Sequence, residues 1–323
     1  MGSTNLGTIL QNGSPVISTF PQMMNARWYY VDPENGANGN SGDADNPLAT
    51  IAAAYDKCVS GRGDVVALRG GPTSGGTTGH SARLSETLTW SKHNTHLIGL
   101  GAPTKVGQRA RITGESTGAT FTPLIKVTGS GCIFANFAIF HDYGVDPVCI
   151  EVEGDRNYFE NVNIQGMGVA AGGDDAAACS LLLDGAEECT FRGCVIGLDT
   201  IERSTTNAEI EFVGGSKRII FEDCEIISFA DNAGHLFVKI DGSADIDRYI
   251  IFRNCTFINA VESTATTMTQ AMDVHNSCGG MVLLHNCVMV GATDWAAADN
   301  GNVFISNAAA TAGTSGLAVA VTR

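Results

Sequence analysis

Short runs of alternating apolar and polar residues recur through most of the chain. They lie at 124–127, 149–152, 180–184, 209–212, 237–240, 271–274 and 302–305. Alternation with a period of two predicts a strand with one buried face. Most of these runs are followed by a glycine-containing turn and then by a second apolar run, as in residues 209–224. The pattern therefore predicts successive short strands separated by tight turns.

A second pattern repeats at successive intervals of 25, 32, 30, 31 and 32 residues. Its turn position is occupied in order by Asn136, Asn161, Gly193, Asp223, Asn254 and Asn286. Two positions earlier stand Phe134, Phe159, Phe191, Phe221, Phe252 and Leu284, and one position later the last four copies carry Cys194, Cys224, Cys255 and Cys287. A repeat of this length indicates one supersecondary unit stacked many times.

Each unit comprises a strand, a Gly turn, a strand, an Asn or Asp turn, a third strand and a longer variable loop. Helical periodicity is missing from the repeats, and there is no Trp-Asp signature of a propeller. Three short strands per repeat, each pairing with its counterpart in the next repeat, predict an all-β fold. The fold class is a single-stranded parallel β-helix with three strands per coil.

At this point the chain resembles the pectin-lyase-like superfamily of right-handed parallel β-helices, whose members include bacteriophage virion proteins. In that superfamily, Asn side chains stack at one turn and bond along the cylinder. The resemblance implies a ladder of Asn136, Asn161, Asp223, Asn254 and Asn286, with Gly193 as a gap.

The repeated cysteines are expected to lie one above another, about 5 Å apart, and to point inward. A column of thiols in a dry interior acts as small hydrophobic packing. A metal site needs ligands that converge on one point, whereas Cys194, Cys224, Cys255 and Cys287 would run along an axis. We therefore predict that these thiols bind no metal, and we expect no cofactor.

The segment 28–71 resembles the first part of many such β-helices, with a strand, a Gly/Asn/Asp loop, a short helix near 47–59 and a strand at 64–69. The helix is expected to cover the open end of the cylinder, because stacked repeats need a cap. We divide the chain into an N-terminal arm (1–27), a capping segment with the first coils (28–94), the β-helix (95–306) and a C-terminal tail or last rung (307–323).

Composition narrows the function classes. The 323 residues include 34 acidic and 19 basic side chains, a net charge of −15, which disfavours nucleic acid and anionic membranes as partners. The first 27 residues lack the pattern of a secretion signal, which predicts synthesis in a host cytoplasm, and no apolar run is long enough for membrane insertion. The ten cysteines are spread along the chain, which favours reduced thiols.

Candidate chemistry lies on the outward positions of the first strand series, which are Lys126, Glu151, Leu182, Glu211, Lys239, Asp273 and Phe304. Glu151 and Glu211 would be two rungs apart, roughly 10 Å, near the upper limit for the separation of the two carboxyl groups in inverting glycosidases.

The loops after the third strand add further acidic residues, Asp142, Asp146, Asp174, Asp175, Asp199, Glu202 and Asp231. Acidic loops can also bind calcium. Lyases of this superfamily use Asp-bound calcium and an Arg or Lys base, and Arg203 is the one basic residue of these loops. If the protein is an enzyme, the candidate residues are Glu151, Glu211, Asp199, Glu202 and Asp231.

Three functions remain open. The first, which the resemblance and the lack of a catalytic motif favour, is a non-enzymatic structural protein of a bacteriophage virion, such as a capsid decoration protein, head fibre or short spike. It would be a homotrimer attached to other virion proteins through residues 1–27. The second is a polysaccharide lyase or glycoside hydrolase that acts as a tail-spike depolymerase on host surface polysaccharide. The third is a glycan-binding module without catalysis.

Overall fold

The computed structural model describes residues 10–11, 14–15, 26–71, 81–102, 104, 110–114, 121–141, 147–259, 266–297 and 300–306. The arm 1–27 is thus described only in part, and the tail 307–323 lies outside the described residues. Among the residues described, no helix has the length and apolar character needed to cross a membrane.

Three long parallel sheets contain most of the described strands. Sheet 1 consists of Trp28–Val31, Val65–Arg69, His96–Leu100, Ile133–Ala135, Tyr158–Glu160, Thr190–Arg192, Ser216–Glu222, Ile246–Arg253, Gly279–His285 and Val303–Ile305. Sheet 2 consists of Ala82–Leu84, Arg111–Gly114, Ala138–Phe140, Asn163–Gln165, Val195–Gly197, Glu225–Ser228, Thr256–Asn259 and Val288–Val290. Sheet 3 consists of Leu88–Trp90, Ile125–Val127, Val148–Val152, Cys179–Asp184, Ala208–Val213, Leu236–Ile240 and Met272–Val274.

Two short strand pairs lie outside these sheets. Leu10–Gln11 pairs antiparallel with Ser14–Pro15, and Met268–Gln270 pairs parallel with Ala292–Asp294. Two helices are described, α1 at Ile51–Lys57 and α2 at Ala170–Gly173.

The chain passes from sheet 3 to sheet 1 to sheet 2 and then returns through a loop to sheet 3 in the next coil. Equivalent residues of successive repeats are direct partners, as for Phe134, Phe159 and Phe191 in sheet 1. The parallel β-helix with three strands per coil is confirmed.

One predicted strand lies in a different sheet. Residues 302–305 were expected to continue the first strand series, but Val303–Ile305 joins sheet 1, where Phe304 pairs with Leu283. The reason is that the chain already passes sheet 3 at 294–295, where Asp294 and Trp295 accept hydrogen bonds from the backbone N–H groups of Ala271 and Met272. Phe304 is therefore not a neighbour of Asp273 on the outer face of sheet 3.

An aromatic stack fills the interior behind sheet 1. The rings of Phe134, Phe159, Phe191, Phe221 and Phe252 lie nearly parallel, with successive centroids 4.7, 4.5, 4.8 and 4.6 Å apart. These spacings match the distance between paired strands, so each ring packs on the ring of the next coil.

Helix α1 continues this stack at the N-terminal end. The Thr50 hydroxyl accepts a hydrogen bond from the Ala53 N–H and caps the helix N-terminus. Ile51, Ala54 and Tyr55 are buried, and the Tyr55 ring lies 4.2 Å from that of Trp90. The helix is shorter than the predicted range 47–59 and packs against the first two strands of sheet 1.

The turn between sheets 1 and 2 has the same backbone form in six coils. Asn136, Asn161, Gly193, Asp223, Asn254 and Asn286 all have φ between 51° and 59°. Asn and Asp tolerate this left-handed conformation better than other side-chain-bearing residues. Amide Nδ2 groups donate from Asn161 to Asn136, from Asn254 to Asp223 and from Asn286 to Asn254, at 3.4, 3.2 and 2.9 Å. Gly193 separates the first pair from the other three.

The thiols beside this turn form a column. Cys194, Cys224 and Cys255 are buried and Cys287 is partly exposed. Each Sγ donates to the backbone carbonyl of a residue of the aromatic stack in the preceding coil. The acceptors are Phe159, Phe191, Phe221 and Phe252 respectively. Contact with the Cys224 thiol, together with burial, raises the pKa of Cys255 to about 12. Protonated thiols of this kind pack as small apolar groups and are poor nucleophiles.

Candidate functional site

The outer face of sheet 3 carries a ladder of charged side chains. Lys126, Glu151, Leu182, Glu211, Lys239 and Asp273 are consecutive partners across the strands. Lys126 Nζ lies 2.9 Å from Glu151, and Lys239 Nζ lies 3.2 Å from Glu211. Cross-strand pairs of opposite charge stabilise a sheet face and neutralise its carboxylates.

Each lysine also binds a second carboxylate at the edge of the strand. Lys126 Nζ lies 2.6 Å from Glu153, and Lys239 Nζ lies 2.9 Å from Asp241. Hydrogen bonds from Lys126 to Glu151 and Glu153 raise the pKa of the ammonium group, so it stays charged. Glu151, Glu153 and Asp184 also offer oxygen atoms within 4.8 Å of one another. Lys126 already neutralises two of these three carboxylates, those of Glu151 and Glu153, as a bound cation would.

A shallow groove of about 490 Å³ crosses the C-terminal half of this face. Its floor includes Leu236, Lys239 and Asp273, and its remaining lining is Ala176, Thr206, Ala233, Gly234, Asp241, Thr269 and Gln270. Among the described residues, this lining contains no Tyr, Trp or Phe and therefore no aromatic platform for a sugar ring.

Arg203 occupies a different environment from the one expected for a catalytic base. It is completely buried, and its Nε donates to Glu209 Oε1 at 3.1 Å. One terminal nitrogen donates to the carbonyls of Met167 and Ile201 at 2.8 and 3.1 Å. Arg203 therefore ties the loops together and is not available to a substrate, because the loops after sheet 2 fold over it.

A buried polar network surrounds this ion pair. Ser180 Oγ donates to Glu209 Oε2 at 2.6 Å, and His235 Nε2 lies 3.7 Å from Glu209 Oε1. Burial raises the pKa of Glu209, but the charge of Arg203 and the hydrogen bond from Ser180 outweigh it and leave the pKa lowered. Glu209 is thus ionised and paired.

His235 connects two further residues of the network. Asn207 Nδ2 donates to the carbonyls of Gly173 and Asp175, so its Oδ1 accepts from His235 Nδ1 at 2.9 Å. His235 Nε2 lies 2.7 Å from Ser228 Oγ, and burial lowers the pKa of the imidazole. The neutral ring therefore accepts from the Ser228 hydroxyl.

Serine, histidine and asparagine are thus connected as in a nucleophile–base–orienter relay. However, Ser228, His235 and Asn207 are almost completely buried. A carbonyl or glycosidic carbon cannot reach the hydroxyl, so this relay is structural.

The other candidate acids lie apart from this network. Asp199, Glu202 and Asp231 are exposed loop residues, as is Asp174, and Asp175 is partly exposed. Asp142 and Asp146 lie outside the described residues. Of these acids, the five that the structure describes all lie outside the lining of the groove.

Sequence reasoning missed the buried cluster of Glu209, His235, Ser228 and Asn207. Glu209 lies on the same side of its strand as the outward residue Glu211, so the alternation gave no sign of burial, and only the loops that cover Glu209 make it buried. A weak signal was present, because Ser180 on the neighbouring strand occupies the position beside Glu209.

No family model and no curated protein sequence matches the chain. Solved structures with similar folds include a rhamnogalacturonan lyase, with a TM-score of 0.59 and 14% identity over 87% of this chain and 73% of that one. A pectin methylesterase from Erwinia chrysanthemi has a TM-score of 0.59 and 15% identity over 93% of this chain and 94% of that one. ORF18 of Geobacillus virus E2 has a TM-score of 0.53 and 12% identity over 82% of this chain and 53% of that one.

Identities at this level establish architecture alone. The ladder, the stacked coils and these neighbours agree on one fold. The chain has a parallel β-helix fold that is similar to the folds of these solved structures.

Proposed function

We propose that this chain is a non-enzymatic structural protein of a bacteriophage virion. The observation that carries the proposal is the neutralised outer face of sheet 3. Glu151 and Glu211, its two candidate catalytic acids, are each bound to a lysine of the adjacent strand. A carboxylate held in this way supports the sheet and lacks the environment that tunes a general acid or base.

The buried loop residues support the same proposal. A β-elimination needs a base that reaches the substrate, and Arg203 is completely buried against Glu209. Glycoside hydrolysis needs two carboxyl groups placed across one bond, and the exposed loop acids Asp199, Glu202 and Asp231 lie outside the groove.

The similarity to a protein of a Geobacillus virus supports assignment to a phage particle, whereas the lyase and esterase neighbours illustrate that one fold can carry different functions. Residues 1–27 are proposed to attach the cylinder to other virion proteins. They carry a single charged side chain, Arg27, and several apolar ones, as suits an arm that becomes ordered on a partner.

The attachment test compares the full chain with a variant that lacks residues 1–25. Virions assembled with the full chain or with the shortened chain are labelled with an antibody raised against residues 28–306 and imaged by electron microscopy. We expect labelled particles, and we expect the shortened chain to fold, by circular dichroism, but to be absent from particles. A soluble, unattached full-length chain would contradict the virion role.

The activity test incubates the full chain with a panel of bacterial polysaccharides and measures new reducing ends and ultraviolet absorbance of unsaturated products. We expect no turnover. Turnover that is lost in Glu211→Ala or Asp199→Ala would establish an enzyme.

The groove supports a second candidate function, binding of a polar glycan without catalysis. Thr206, Thr269 and Gln270 offer hydroxyl and amide groups on its walls, and Lys239 and Asp273 lie on its floor. Titration calorimetry with the same polysaccharides distinguishes this function. Binding that is lost in Gln270→Ala and retained in Glu151→Ala, outside the groove, would support it.

A further inference from the structure

The outer face of sheet 1 presents a second column of alternating charges. Glu160, Arg192, Glu222 and Arg253 are consecutive partners across four strands. Glu222 lies between the two arginines, 3.8 Å from Arg192 Nε and 3.1 Å from Arg253 NH1. The column is therefore neutral as a whole, with charge alternating at every rung.

A column of apolar side chains runs beside it. Ile220, Ile251, Leu283 and Phe304 are consecutive partners and all are partly exposed. The partly exposed side chains of Tyr249 and Met281, which are also partners, widen this strip. Contiguous apolar surface of this kind, bordered by charges, is typical of protein interfaces.

The order of charges is complementary to itself when reversed. If a second sheet faces the first with its coils running in the opposite direction, Glu160 faces Arg253 and Arg192 faces Glu222 at every contact. If the second sheet runs in the same direction in register, each charge faces its own kind. Because paired strands have one common spacing of about 4.8 Å, two such ladders stay aligned over several rungs.

We propose that the outer face of sheet 1 binds a second copy of this chain in an antiparallel, two-fold symmetric dimer. The two-fold axis lies along the strands, between the rungs of Arg192 and Glu222, so the charged columns face each other, and Ile220 and Ile251 face Thr190 and Tyr158 of the second copy. A face of roughly 20 by 25 Å buries about 1,000 Å² in total, near the lower end for a specific interface. The dimer does not depend on the proposed virion role, since catalysis or binding in the sheet 3 groove would leave sheet 1 unchanged.

The occupant is a second copy and not the chain's own N-terminal arm. Residues 1–27 contain one charged side chain, Arg27, and cannot match a column of four alternating charges. A second copy supplies the matching charges by symmetry.

The first experiment measures the mass of the full chain by light scattering after size exclusion. We expect twice the 33.7 kDa chain mass at about 50 µM, with dissociation on dilution. The Ile251→Lys variant places a charge in the apolar column, and we expect at least tenfold weaker dimerisation with an unchanged circular dichroism spectrum. A monomer at about 50 µM, or a trimer, would overturn the proposal.

A charge exchange tests the antiparallel geometry. Arg192→Glu sets like charges opposite each other at two symmetric contacts, and we expect at least tenfold weaker dimerisation. Adding Glu222→Arg restores an opposite charge at both contacts, and we expect the dimer to return. Failure of this rescue with both variants folded would exclude the antiparallel arrangement. Lys239→Glu, a charge reversal on sheet 3, is the matched control and should leave the dimer intact.

The chain that lacks residues 1–25 distinguishes the two possible occupants of the outer face of sheet 1, the N-terminal arm and a second copy. If the arm covered sheet 1, removal of residues 1–25 would strengthen association, whereas the proposed dimer predicts the same dissociation constant with and without it.

Discussion

The two corners that flank sheet 2 are built in opposite ways. The corner between sheets 1 and 2, the Asn corner, is one left-handed residue repeated at the same position in six coils. The corner between sheets 2 and 3, the loop corner, is a set of unequal loops, from Gly166–Ala178 through Leu198–Asn207 to Phe229–His235. A repeating solenoid therefore keeps one corner uniform and lets another vary.

Their stabilising interactions differ in kind. The Asn corner is stabilised by weak amide hydrogen bonds at the surface, such as the bond of 2.9 Å that Asn286 Nδ2 donates to Asn254 Oδ1. The loop corner depends on the buried pair of Arg203 and Glu209 and on the neutral His235 beside it. Distributed surface bonds tolerate a missing member such as Gly193, whereas a buried ion pair does not tolerate loss of one partner.

The largest effect is expected at the loop corner. Arg203→Met leaves Glu209 buried without its counter-charge, and we expect a loss of about 3–5 kcal/mol in the free energy of unfolding. Denaturant titration measures it. Lys239→Met removes a partly exposed pair with Glu211 and is the matched control, with an expected cost below about 1 kcal/mol. Equal costs for the two variants would contradict the distinction between the corners.

Acid is expected to weaken the loop corner next, together with His141, which follows the sheet 2 strand Ala138–Phe140 of an earlier coil. Burial lowers the pKa of His141 to about 4 and also lowers the pKa of His235. Below the unfolded value of about 6.5 the unfolded chain therefore binds protons that the folded chain does not, and stability falls as the pH drops. The loss reaches on the order of 3 kcal/mol for His141 by pH 4. Glu209, whose pKa is lowered, adds a loss only as the pH falls through its folded value.

Denaturant titrations between pH 7 and pH 4 measure this dependence. His141→Gln should reduce the slope with pH. A free energy of unfolding that stays constant over this range would rule out the buried neutral histidines.

The smallest effect tests the Asn corner from the opposite direction. Gly193→Asn places an amide between Asn161 and Asp223 at φ 59°, a conformation that the ladder residues already adopt. A Cβ at this position lies 2.9 Å from Asn161 Oδ1, the mobile end of a side chain that can shift. We expect a gain of about 0.5–1 kcal/mol in the free energy of unfolding.

Gly193→Ala is the control for this variant, because it adds a Cβ at the same left-handed position without an amide. We expect it to cost about 1 kcal/mol. Similar free energies of unfolding for Gly193→Asn and Gly193→Ala would show that the amide hydrogen bonds of the Asn corner contribute nothing to stability.

The sequence predicted the uniform parts of the fold because they repeat. Phe159, Asn161 and Ile164 recur with the same spacing in successive coils, so one pattern specified interior, turn and strand together. The same reasoning placed Glu151 and Glu211 on the outer ladder, since neighbouring outward positions can be counted along the strands.

The candidate site was less predictable. Arg203 and Glu209 lie six residues apart and the alternation of the strand gave no sign of burial for Glu209, yet both are completely buried. Their burial depends on the path of loops that share no pattern from coil to coil. Likewise, residues 302–305 alternate like a sheet 3 strand, but residues 294–295 had already passed that edge.

The sequence alone thus determined the stacking of coils, the inward Phe and Cys columns and the left-handed Asn corner, because local period and turn chemistry repeat at fixed intervals. Tertiary structure decided which polar groups the loops cover, where the groove opens and which charges face outward on sheet 1. Those features depend on contacts between residues distant in the chain, and no local period encodes such contacts.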